Sequence, residues 1–317
     1  MNDTLYLVVP CYNEEAVLPE TARQLEGTLQ AMIADGHCGE NSRILFVNDG
    51  SKDRTWAIIE DLHRTQPHVC GLSLSRNRGH QNALLAGLMF ARAHADCAIS
   101  LDADLQDDIG VLPEFLAKYH DGCDIVYGVR CDRKTDTKFK RSTAQFFYKL
   151  MSAMGVEIIY NHADYRLMSA RAVKELSKFK EVNLFLRGMV PMIGFKYSCV
   201  EYSRKERMAG KSKYPLKKMI SFALDGITSL SVKPIRFITT FGFIVALLSV
   251  IGIIWSVVTA FIGSSVAGWA STVSIVCFLG GVQLISLGVI GEYIGKIYLE
   301  VKQRPRYIID KKTDELK

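Results

Sequence analysis

From Phe237 to Gly291 the chain carries no Asp, Glu, Lys or Arg. No other feature of the sequence restricts its fold as strongly. In water such a run must bury apolar side chains on every face, whereas a hydrocarbon core about 30 Å thick accepts them as they stand. The run divides into two spans, Phe237–Ile262 and Ala270–Gly291, joined by the turn Gly263–Trp269. Each span is long enough to cross a bilayer. Lys233 and Arg236 precede the first span, Lys296, Lys302, Arg304 and Arg306 follow the second, and the turn holds no basic residue. The positive-inside rule then places both ends on the cytoplasmic side of the plasma (inner) membrane, a multi-pass arrangement with Trp269 at an interface. A buried helical hairpin of a soluble protein is the alternative. Gly280, Gly281, Gly288, Gly291 and Gly295 permit close helix contacts, within the hairpin or between copies in a homo-oligomer.

Ahead of the spans, short apolar runs alternate with helical patterns. Leu5–Val9 reads as a buried strand ended by Pro10, followed by a helix to about Met32. The first run is too short for a signal peptide and no basic region precedes it. Arg43–Asn48, Val69–Leu74 and Ala98–Leu101 repeat the strand pattern, each with a helix after it, and Asp124–Gly128 is a fifth strand. This alternation predicts an α/β fold, a mostly parallel sheet with helices on both faces. Ligands of such sheets lie beyond the carboxyl ends of the strands, where Tyr12, Glu14, Asp49, Asp102 and Asp104 fall. There is no Gly-X-Gly-X-X-Gly after the first strand and no phosphate-loop lysine motif.

Asp102 and Asp104, one residue apart at a strand end, cannot share a core without a cation. Their spacing suits a hard divalent ion, Mg2+ or Mn2+, with Gln106 as a neutral oxygen ligand. An acidic loop capping the next helix is the bland alternative. The net charge of +6 fits an anionic membrane surface or phosphate substrates and is too small to argue for nucleic acid. Eight cysteines without a Cys-X-X-Cys pair read as reduced thiols, with no zinc site. Residues 130–215 read as irregular and basic: Arg130 and Arg141 flank a cationic edge before the apolar residues Phe146–Met154, the pattern of an interfacial helix. Gly210, between Arg207 and Lys211, lets backbone approach an anion closely. The divisions expected are a catalytic domain over 1–215, an amphipathic juxtamembrane helix over 216–235, the membrane hairpin over 236–296 and a polar, partly disordered tail over 297–317.

Six stretches occur together in one order: Val9-Pro10-Cys11-Tyr12-Asn13-Glu14-Glu15, Val47-Asn48-Asp49-Gly50-Ser51, Ser75-Arg76-Asn77-Arg78-Gly79, Leu101-Asp102-Ala103-Asp104-Leu105-Gln106-Asp107, Ala163-Asp164-Tyr165-Arg166-Leu167 and Arg207-Met208-Ala209-Gly210-Lys211-Ser212-Lys213-Tyr214. With the C-terminal spans, they resemble family 2 glycosyltransferases of GT-A (Rossmann-like) fold, in the polyprenyl-phosphate branch that includes dolichyl-phosphate mannose synthase and bactoprenol glucosyltransferases. Asp107-Asp108-Ile109-Gly110 departs from the family's usual Asp-Pro-Pro-Glu, and the Gln-X-X-Arg-Trp signature of processive synthases is absent.

The resemblance implies a metal-dependent, inverting transfer of one sugar, glucose from UDP-glucose, to undecaprenyl or another polyprenyl phosphate at the cytoplasmic membrane face. It implies that Pro10, Tyr12, Asn13, Glu14, Asp49, Asp102, Ala103, Arg207 and Lys211 hold the nucleotide sugar. Asp102, Asp104 and Gln106 hold Mg2+ or Mn2+, and Asp104 and Asp164 are the catalytic pair. Arg130 and Arg141 hold the acceptor phosphate, a task suited to a guanidinium fork. Transfer to a glycan or protein hydroxyl, and a catalytically silent nucleotide-sugar-binding scaffold, are the competing readings.

Overall fold

The computed structural model describes residues 3–131, 154, 162–203, 227–229, 231–261 and 268–313. Eight strands form one sheet: β1 (Leu5–Cys11), β2 (Arg43–Asn48), β3 (Val69–Leu74), β4 (Cys97–Ser100), β5 (Ile125–Arg130), β6 (His162–Ser169), β7 (Tyr197–Tyr202) and β8 (Ile309–Lys312). Their spatial order is β7-β5-β6-β4-β1-β2-β3-β8. The pairs β1–β2, β1–β4, β2–β3 and β5–β7 are parallel. Strands β6 and β8 run antiparallel to their neighbours.

Helices cover both faces, as the alternation predicts. One core joins β1 and β2 to α1 (Leu18–Ala34), α2 (Thr55–Thr65) and α4 (Leu112–His120) through Leu25, Ile59 and Phe115. The other joins the same sheet to α3 (His80–Ala91), α5 (Ala170–Leu176) and α6 (Leu186–Met192) through Leu84, Val173 and Met189. Helix α3 lies close on β1 and β2 because Gly87 faces them: a Cβ there would stand 2.4 Å from Val8 Cγ1 and 2.8 Å from Val47 Cγ2. Gly87→Ala should therefore overpack the core and lower stability by about 1–3 kcal/mol, measured by thermal unfolding of the purified chain.

Three expectations change. Pro10 lies inside β1, opposite Val47, and does not end it. Strand β4 pairs with β1 only as far as Val8, so past that point β1 has one ladder partner and tolerates a residue without an N–H. Residues 162–202 are not irregular but supply β6, α5, α6 and β7. The charges of His162, Asp164 and Arg166, spaced by two, disguise a strand. Nor is the tail wholly loose: Ile309–Lys312 pairs along β3, whose edge would otherwise present unpaired backbone groups.

Helices α7 (Lys233–Phe261) and α8 (Trp269–Lys302) carry the two apolar windows Lys233–Gly252 and Phe278–Lys302. By length and composition both are able to cross a membrane, and among the described residues almost nothing covers them. At Gly280, Gly281, Gly288, Gly291 and Gly295 a built Cβ meets no described atom within 4 Å. Cys11, Cys38, Cys70, Cys97 and Cys123 are buried, Cys131 and Cys199 are exposed, and none of these seven is in a disulfide. The proposed interfacial residues Phe146–Met151 and most of the 216–235 segment lie outside the described residues.

Candidate active site

The chain lays β2 and β3 on one side of β1 and then crosses to add β4, also parallel, on the other, so the order β4-β1-β2-β3 has its switch point between β1 and β4. Such a switch point opens a crevice at the strands' carboxyl ends. The loops after β1, β2, β3 and β4 meet there. Asn13 adopts φ 55°, and its side chain accepts from the N–H of Lys52 at 2.9 Å. The Asn13 N–H donates to Ser51 Oγ and that of Glu14 to Thr55 Oγ1, both at 3.0 Å. Tyr12 stands exposed at the rim.

Asp49 is buried, and its two oxygens accept the N–H groups of Arg78 at 2.7 Å and Gly79 at 2.9 Å. Burial raises its carboxyl above the usual range, against the pull of those two N–H groups. At this residue the structure shows a brace between the second and third loops. Gly50 (φ +61°) completes the brace, because a Cβ there would fall 2.4 Å from the backbone carbon of Arg76.

The acidic turn is anchored from α1: Thr21 Oγ1 donates to the carbonyl of Ala103 at 2.6 Å. Leu105, between Asp104 and Gln106, takes φ 53°, a conformation that costs a leucine about 1–2 kcal/mol. Strain of this kind collects at functional sites. The Gln106 N–H donates to Asp104 Oδ1 at 3.2 Å, and Gln106 is buried. Asp107 is buried too, accepting from Tyr202 Oη at 2.6 Å with the Arg130 guanidinium 3.7 Å away. Arg130 also donates to Tyr202 Oη at 3.1 Å.

No group of three or more His, Cys, Asp or Glu suited to a metal exists among the described residues. Asp102 and Asp104 would by themselves be two carboxylates of a larger donor set. A magnesium-like ion fits that set, since it takes its other ligands from water and substrate phosphates.

Strand β6 brings the second half of the site. Ser100 Oγ donates to the Asp164 carbonyl at 2.5 Å, fixing β6 beside β4. Asp164 accepts from Arg166 Nη2 at 3.1 Å and from Arg187 Nη2 at 3.0 Å and Nε at 3.3 Å. Burial pushes its carboxyl up, but Arg187, Arg166 and His80 together hold it well below the usual carboxylate range. Arg166 is 1% exposed and donates to the Leu186 carbonyl as well. His80, the first residue of α3, sets Nε2 3.8 Å from Asp102 Oδ1 and 3.9 Å from Asp164 Oδ2.

The structure places Tyr12, Asn13, Glu14, Asp49, Asp102, Ala103, Asp104 and Gln106 in the loops beyond β1, β2 and β4, Arg130 at the end of β5 and Asp164 near the start of β6, all toward one edge of the sheet, with Pro10 inside β1. Arg141, Arg207 and Lys211 lie outside the described residues. His80, Arg187, Asp107 and Tyr202 join the site without having been singled out from the sequence. His80 had one available signal, its place directly after the glycine of Ser75–Gly79. Arg187 had none.

The sequence profile of glycosyl transferase family 2 matches residues 6–177, and that of the GtrB C-terminal hairpin matches residues 233–297. The "Uncharacterized glycosyltransferase YkoT" of Bacillus subtilis is 57% identical over 306 residues, covering 96% of this chain and 91% of the relative. The "SfII prophage-derived bactoprenol glucosyl transferase" of Shigella flexneri is 43% identical over 310 residues, covering 96% and 97%. Among solved structures, mannosyl-3-phosphoglycerate synthase from Rubrobacter xylanophilus aligns at 14% identity over 74% of each chain, TM-score 0.49. With its matched domain and hairpin in the same chain, this protein belongs to glycosyltransferase family 2.

Proposed function

We propose that the protein moves one glucose from UDP-glucose to a polyprenyl phosphate such as undecaprenyl phosphate, inverting the anomeric centre. The observation that carries this reading is the meeting of Asp102 and Asp164 across His80, which joins a diphosphate-side carboxylate to an arginine-held carboxylate in one crevice. The name of the Shigella flexneri relative, 43% identical over nearly its full length, supports the acceptor class. Helices α7 and α8 cross the membrane twice in this reading. They tether the crevice to the cytoplasmic leaflet, which raises the effective concentration of a lipid acceptor.

Asp102 and Asp104 would hold Mg2+ or Mn2+, which when bound would supply positive charge to the departing nucleotide diphosphate. The loops after β1 and β2 bind the nucleoside. Arg130, fixed by Asp107 and Tyr202, and Arg187, fixed by Asp164, present guanidinium groups to the acceptor phosphate. Asp164 stays ionised and orients Arg187, while the acceptor needs little help in losing a proton. A phosphate monoester with a second pKa of about 6 is already mostly dianionic at neutral pH.

Two outcomes follow. Label from UDP-[14C]glucose should appear in the organic phase with polyprenyl phosphate and Mg2+ or Mn2+; label confined to the aqueous or protein fraction would overturn the reading. Activity should fall below about pH 6, as the acceptor takes its second proton. Asp164 should add no limb of its own above about pH 5, because its folded-state carboxyl titrates well below the usual range near pH 4. A pH–rate profile of the Asp164→Asn variant, matched to wild type, checks this.

A further inference from the structure

The last turn of α8 makes a joint with the catalytic sheet. Both oxygens of Glu300 accept the N–H of Val182, at 2.7 and 2.9 Å, and Oε1 also accepts that of Asn183 at 3.1 Å. Arg306 donates to the Phe179 carbonyl. Between the loop at 178–182 and the segment 300–306 lies a cavity of about 780 Å³, whose charged lining is Lys178, Lys180, Glu181, Glu300, Arg304 and Arg306.

The cations are in excess. Lys178, Lys180, Arg304 and Arg306 face Glu181 and Glu300 in the lining, and Lys178 is paired with Glu175 at 2.5 Å. Lys180 and Arg304 form no ion pair with a described residue. Burial lowers the Arg306 guanidinium from its ordinary range, with Glu181 and Glu300 pulling the other way. An anion in the cavity would offset that cost, since an opposite charge nearby favours the charged form. Ile297, Tyr298, Val301 and Ile308, on and just past the same turns, are exposed, and the Lys302 ammonium lies 4.8 Å from the Tyr298 ring centroid. Apolar bodies with cationic tips mark the headgroup level of a bilayer.

We propose that this cavity binds the phosphate headgroup of an anionic glycerophospholipid. The volume lies within the range of small-molecule sites, about 300–1,000 Å³, and basic pockets on the cytoplasmic side of membrane helices take such headgroups. The inference rests on the membrane reading of α7 and α8, and not on the identity of the sugar or acceptor. The occupied joint would be mechanically close to the site: the loop it holds continues through Leu184 and Phe185 into α6, whose Arg187 grips Asp164.

The test uses the full chain in detergent, with retained lipid counted by native mass spectrometry and no sugar transfer required. Wild type should retain phosphatidylglycerol over phosphatidylcholine by roughly 20-fold, from two unpaired cations near a headgroup. The Lys180→Gln/Arg304→Gln variant should bring the two lipids to parity, and Lys180→Gln alone should lose about fivefold. Neither substitution strands an ion-pair partner, and both variants should elute as wild type. Arg64→Gln/Lys174→Gln, which removes two cations elsewhere, should keep the preference. Unchanged phosphatidylglycerol retention in the cavity variants, or equal loss in the control, overturns the proposal. Displacement of the lipid by millimolar inorganic phosphate would show a site for soluble anions and overturns it as well.

Discussion

Asp104→Asn should cut glucose transfer about a thousandfold while leaving the folded chain intact, the scale at which charge stabilisation of a departing group operates. The substitution keeps the shape of the side chain and its acceptor for the Gln106 N–H. It removes only the negative charge. The turn itself is held from elsewhere, by Thr21 on the Ala103 carbonyl and by the Tyr202 and Arg130 contacts to Asp107. Binding of Mn2+ in the presence of UDP, followed by electron paramagnetic resonance, should weaken in parallel with activity. A variant that transfers at the wild-type rate, or that binds Mn2+ as before, refutes the metal assignment. Circular dichroism and elution volume matching wild type separate this result from misfolding.

The second large effect is on stability. Asp164→Asn should destabilise the chain by about 3 kcal/mol, because removing one partner of a buried ion pair leaves the other uncompensated. Arg166, buried to 1% exposure, would keep only the Leu186 carbonyl as a hydrogen-bond acceptor among the described residues. Arg187 would lose the carboxylate that aims it, so turnover should fall together with stability. The effect has a defined pH dependence. A carboxyl held below its unfolded value stabilises fully above that value, near pH 4, and loses its contribution as pH falls toward its folded value. The gap between wild type and Asp164→Asn should hold constant from pH 8 to about 5 and shrink below about 4. Thermal unfolding in detergent across that range measures it. A gap that widens on acidification would contradict the ionised, arginine-held state of Asp164.

The two predictions fall on different parts of the site, and the sequence exposed them unequally. The Asp102–Asp104 doublet stands out because it follows an apolar run that any sheet must bury. Asp164 sits in a strand whose alternation His162, Asp164, Arg166 puts charge where apolar residues are expected, so its segment reads as irregular. Only the pairing of β6 with β4 and β5 shows that this segment is a strand, and only the folded chain shows Asp164 pairing with Arg166 and Arg187. Pro10 misled for a related reason, since its tolerance depends on β4 ending early.

What the sequence determined by itself was everything periodic within about a dozen residues: the four strand–helix units, the acidic turn at a strand end, and two apolar helices long enough for a bilayer. Those patterns are local because backbone geometry repeats every two or 3.6 residues. The tertiary structure alone decided that His80 lies between Asp102 and Asp164, that Arg187 reaches a carboxylate 23 residues earlier, and that β8 closes the sheet against β3, more than 200 residues away. Such contacts are set by which strands lie side by side and by which charges must be neutralised on burial. Neither leaves a repeat in the chain for a sequence reading to find.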